Sequence, residues 1–127
     1  MAFNMDITQQ GKIGTSEISA VNSYSGSMEV QINEDIAVGN DRAVSCSLDI
    51  SQVQALMILA DGALTLETNS SSAPTNTIAI QAGKPYLWRL ADYVACLITS
   101  DVTSIFLSNA GSVSVNFKLA AILDATP

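Results

Sequence analysis

The chain contains no histidine. That absence removes imidazole acid–base catalysis, Ser-His-Asp triads and zinc sites built on imidazole. Positive charge is scarce too. Lys12, Arg42, Lys84, Arg89 and Lys118 are the five basic residues, and they form no run. A nucleic-acid partner needs a basic patch that releases counterions from phosphates. An anionic membrane surface repels a chain of net charge −7. Neither is expected as a direct partner. Long apolar runs are missing as well: the longest, residues 55–60, is far too short to span a bilayer. The first ten residues, MAFNMDITQQ, lack the basic and apolar regions of a secretory signal. Synthesis and folding in a cytosol are therefore expected. There is no GxGxxG and no GxxxxGK[ST], hence no phosphate cradle of the usual kinds. No cofactor, no resident metal and no enzymatic activity are expected.

Two cysteines, Cys46 and Cys96, are present. In a cytosolic chain they are read as small apolar thiols rather than a disulfide. Only 13% of residues are charged, against about 25% in an ordinary globular domain. Two readings follow. Either the abundant Ser, Thr, Asn and Gln solvate the surface, or part of it is covered by other subunits.

What the sequence does have is alternation. In residues 64–88, LTLETNSSSAPTNTIAIQAGKPYLW, Leu64 and Leu66 alternate with Thr65 and Glu67. Ile78 and Ile80 alternate with Thr77, Ala79 and Gln81. Period two marks half-buried strands. The Asn, Ser, Ala, Pro and Thr residues at 69–76 form an exposed loop between them. Pro85 marks the turn that follows. Residues 27–36 alternate at Met28, Val30 and Ile32, and pair in a hairpin with residues 16–24 through Ser25-Gly26. Residues 43–51 alternate at Val44, Cys46, Leu48 and Ile50. A short turn at 51–53 leads to a strand ending at Ala60, and Asp61-Gly62 signals a hairpin into Leu64. Residues 89–100 fit either a loop or a strand. Asn109-Ala110-Gly111 is a turn. Val113, Val115, Phe117, Leu119, Ala121 and Leu123 then form one stripe, predicted to be the central core stripe. At about 3.3 Å per residue, that strand spans over 30 Å.

Short strands at such spacing predict an all-β, single-domain, mostly antiparallel β-sandwich or jelly roll over residues 16–127. Residues 1–15 are predicted to be an N-terminal arm. Its alternate residues Phe3, Met5 and Ile7 suit addition to a sheet edge, on this molecule or a neighbour.

Candidate chemistry is thin. Glu34, Asp35, Asn40 and Asp41 offer oxygens to calcium but match no EF-hand spacing. Asp49, Asp61, Glu67 and Asp101 are surface acids unless the fold pairs them as glycosidase carboxylates. Asn69-Ser70-Ser71 fits the glycosylation sequon, and a polar loop tip fits it as well. Tyr86, Trp88 and Tyr93 are the one aromatic cluster, suited to a stacking platform, an interface or a core edge.

The segment LTLETNSSSAPTNTIAIQAGKPYLW, with DVTSIFLSNAGSVSVNFKLAAILD after it, resembles small structural proteins of tailed bacteriophages. The likeness covers residues 64–124. It implies a virion location and a capsid decoration or auxiliary role. The major capsid protein or other virion proteins would be partners, and a homo-oligomer would form, a trimer by common virion symmetry. It carries over no site residues. The alternative is a carbohydrate- or receptor-binding β-sandwich, from a tail fibre or a secreted protein. Phe3, Met5, Ile7, Tyr86, Trp88 and Tyr93 are the candidate interface.

Overall fold

The computed structural model describes residues 3–125. Among them are ten strands and one 3₁₀ turn, Ile50–Gln52. The strands are β1 (Phe3–Ile13), β2 (Ser16–Gly26), β3 (Met28–Ile36), β4 (Gly39–Val44), β5 (Val53–Ala60), β6 (Leu64–Thr68), β7 (Thr77–Ile80), β8 (Tyr86–Arg89), β9 (Ile105–Asn109) and β10 (Val115–Leu123). β3 to β10 make two four-stranded antiparallel sheets, ordered β3-β10-β5-β8 and β4-β9-β6-β7. The pairs nest: β6 with β7, β5 with β8, β4 with β9, β3 with β10. The chain is thus doubled back at loop 69–76, and the doubled ribbon is wound into two sheets. That is a jelly roll, one of the architectures expected.

The buried faces agree with the alternation. Leu64, Leu66, Ile78 and Ile80 from one sheet meet Leu56, Ile58, Phe117 and Leu119 from the other. The β6–β7 register, Leu66 opposite Ile78, is the expected hairpin. The turn before β5 is held by the Asp49 carboxylate, which accepts the Ser51 N–H at 3.1 Å.

Several local expectations are overturned. β2 does not pair with β3. It pairs along its whole length with β1, through the two-residue turn Gly14-Thr15, where Gly14 has φ +59°. Ser25-Gly26 is no hairpin turn. Gly26 is small because a Cβ there would lie 2.1 Å from the Leu123 carbonyl oxygen. Asp61-Gly62 joins strands of different sheets, since β5 has its ladders with β10 and β8. The 43–51 strand ends its ladder at Val44, although Cys46 and Leu48 remain buried. Val113 is 70% exposed and leaves the core stripe. The reason is Asn109, itself buried, whose Nδ2 donates to the Val113 carbonyl at 2.8 Å and the Ile36 carbonyl at 2.9 Å. That turn swings Val113 outward. Residues 90–104 are a long connection with one isolated bridge, Leu48 to Val102.

Asn69 ties that connection down. Its Oδ1 accepts the Thr103 N–H at 2.8 Å, and its Nδ2 donates to the Asp101 carbonyl at 2.9 Å. It also holds φ +70°, which asparagine tolerates better than alanine. The amide of the sequon is thus engaged at both ends. Asn69→Ala is expected to cost about 2 kcal/mol, from lost hydrogen bonds and strain at positive φ. Asn69→Gly should recover the strain part. Urea unfolding of the three proteins checks both.

Candidate functional site

β1 and β2 form a separate two-stranded sheet, a ribbon of about 36 Å at about 3.3 Å per residue. Opposite residues share a face, so Phe3, Met5, Ile7, Tyr24, Ala20, Ile18 and Ile13 lie on one side. The first four sit at the base. There Ile7 is buried with Ala55 and Ile122, and Phe3, Met5, Tyr24 and Leu87 pack around them. The candidate arm residues therefore cover the outer face of the β3-β10-β5-β8 sheet, not a sheet edge. Past Ile7 every ribbon residue through Ser23 is exposed, Ile13 at 87% and Ile18 at 84%.

Arg89, at the end of β8, clamps the base. Its Nη1 donates to Gln9 Oε1 at 2.8 Å and Asn22 Oδ1 at 3.2 Å, one from each ribbon strand. Its Nη2 is 3.1 Å from Asp92 Oδ1. The hydrogen bonds from Arg89 hold the Asp92 carboxyl below the usual carboxylate range. A depressed pKa stabilises the folded form above the ordinary carboxylate pKa, and the gain is lost as pH falls through the lowered value. Acid is thus expected to loosen the ribbon base before the jelly roll. Amide exchange at Ile7 and Asn22 against pH checks this, and Asp92→Asn should weaken the dependence.

Between ribbon base and β8 lies a cleft of about 410 Å³, lined by Gln9, Tyr86, Trp88, Arg89, Tyr93 and Leu97 among others. It gathers the three candidate aromatics, but unequally. Tyr86 and Trp88 are half-buried against the main core, and Tyr93 is fully exposed. Tyr86 Oη accepts the Leu97 N–H at 2.9 Å, and burial pushes its phenol up to about 12. Leu90, Tyr93, Val94 and Leu97 leave an exposed apolar rim.

Other candidate groups stay apart. Glu34 pairs with Arg42 at 3.0 Å, Asp35 accepts from Asn116, and Asp41 engages Ser108. Asp61 accepts the Asn116 N–H, and Asp101 accepts the Ile50 N–H. Among the described residues no three of His, Cys, Asp and Glu gather as a metal site. No helix among them is long and apolar enough to cross a membrane. Both cysteines are free thiols. Burial raises Cys46 to about 11. It is expected to resist a thiol reagent at neutral pH until the chain unfolds, with stopped labelling and peptide mapping as the check.

Sequence reading missed Ile18, Arg89, Gln9 and Asn22. Ile18 had a usable signal, since it alternates with Ala20 in residues 16–24. Arg89 had none, because its partners lie 67 and 80 residues away.

No protein-family model and no curated protein matches the chain. Among solved structures it is similar to a de novo designed double-stranded β-helix determined by solution NMR. The TM-score is 0.43 at 14% identity, covering 75% of this chain and 99% of that one.

Proposed function

We propose that this protein is a structural subunit working by surface contact, in the virion of a tailed bacteriophage, as a head decoration or auxiliary protein. The observation that carries the assembly part is the ribbon: an exposed β-hairpin with uncovered isoleucines, held at its base by the packing of Ile7 and the hydrogen bonds of Arg89. An isolated two-stranded hairpin is marginal in water, so such a ribbon calls for a surface to lie on. The virion part rests on the resemblance of residues 64–124. Jelly rolls recur in viral capsid proteins, though also in lectins and cupins, so the fold alone decides nothing. The major capsid protein is the partner this reading favours. Mass spectrometry of purified particles, with heads and tails separated, tests it. Presence in heads at regular stoichiometry is expected; absence from particles ends the reading.

A second reading has its own observation, the cleft that collects Tyr86, Trp88, Arg89 and Tyr93. Stacking aromatics beside an Arg–Asp pair suit a sugar. Glycan-array binding lost in Tyr93→Ala, with the fold unchanged, would favour it.

A further inference from the structure

The ribbon's exposed half has a matching surface on the same molecule, out of its own reach. On the outer face of the β3-β10-β5-β8 sheet, residue pairs follow in rows: Ala55 with Ile122, then Met57 with Ala120, then Leu59 with Lys118. The ribbon base covers the first row. The next two rows line an open groove of about 540 Å³, walled by Gln31 and Asn33 of β3. The ribbon does not turn toward it. Its Gln9 and Asn22 lie on Arg89, so it leaves over β8, on the far side of the sheet from β3.

We propose that the distal ribbon, with Ile13, Ile18 and Ala20 facing inward, lies in this groove on a second copy of the chain. Three observations select a second copy. First, chemistry is continuous: the groove extends, row by row, the surface on which the ribbon's own base already packs. The distal half presents the same face of the same two strands. Second, charge allows it. Copies of net charge −7 repel, yet residues 8–23 carry only Lys12 and Glu17, and the groove carries Lys118. Lys12 and Glu17 stand opposite one another on the ribbon's other face, so the face that docks is uncharged and brings no acid or base against Lys118. Third, the donor surface and the acceptor surface are different. Such contact is heterologous, so it closes into a ring or continues as a chain of subunits. This inference rests on the assembly reading but not on the virion.

The test places a photo-reactive residue at Ile18 of the full chain and irradiates a mixture of isotope-labelled and unlabelled protein. Cross-links between copies, from Ile18 to peptides carrying Met57 and Leu59 or Lys118 and Ala120, are expected. Light scattering should show an oligomer that falls to monomer in Ile13→Asp/Ile18→Asp and in Leu59→Lys, with circular dichroism unchanged. A monomeric wild-type chain overturns the proposal. So do cross-links confined to one copy or directed outside the groove, which need no variant to fold. Absence from particles with these cross-links intact would sink the virion reading alone.

Discussion

Phe117→Ala is expected to lower the free energy of unfolding by about 3–5 kcal/mol, the usual cost of truncating a buried aromatic. Phe117 is 0% exposed. It sits on β10, which has ladders on both sides, to Glu34 of β3 and Ala60 of β5. Its ring faces the opposite sheet within the main core. A central strand flanked on both sides cannot relax into the space left behind, so most of the cavity should remain. Urea denaturation with an unchanged slope would show a pure stability effect. A loss below about 1 kcal/mol would mean the register of β10 is wrong.

Gly26→Val is expected to detach the ribbon while the jelly roll persists. A Cβ at Gly26 would sit 2.1 Å from the Leu123 oxygen and 2.7 Å from its carbonyl carbon. Leu123 cannot step aside, since it is paired with Met28 and Val53. The ribbon must lift instead, taking Ile7 off Ala55 and Ile122. Re-exposing one buried isoleucine alone costs about 1.5–3 kcal/mol. Limited proteolysis should then cut within residues 3–26 and spare the rest. Cleavage no faster than in the parent chain would show that Gly26 does not bear the contact.

Faces were legible in the sequence, and partners mostly were not. Leu64, Leu66, Ile78, Ile80, Phe117 and Leu119 all point inward as their alternation requires. Period two says which side chains share a face, but nothing about which sheet a strand joins. Asp61-Gly62 therefore read as a hairpin although the chain changes sheets there. The nested pairing of β3 with β10 is a contact between distant residues that no local pattern encodes. Val113 kept the alternation and still lost its burial, because Asn109 captured its carbonyl. The ribbon was half visible: Phe3, Met5 and Ile7 marked its base, while Gln9 and Gly11 hid the continuation to Ile13. Its partner strand was assigned elsewhere because Ser25-Gly26 looks like a turn. The clamp at Arg89 rests on side chains far apart in sequence and left no motif.

In the proposed assembly another copy covers the distal ribbon. Amide hydrogen exchange of the full chain at rising protein concentration tests it most directly. An uncovered two-stranded ribbon should exchange quickly, and a docked one slowly. Protection in residues 10–21 is expected to rise with concentration while β5, β6 and β10 keep theirs throughout. Fast exchange in residues 10–21 at every concentration would contradict docking on a second copy.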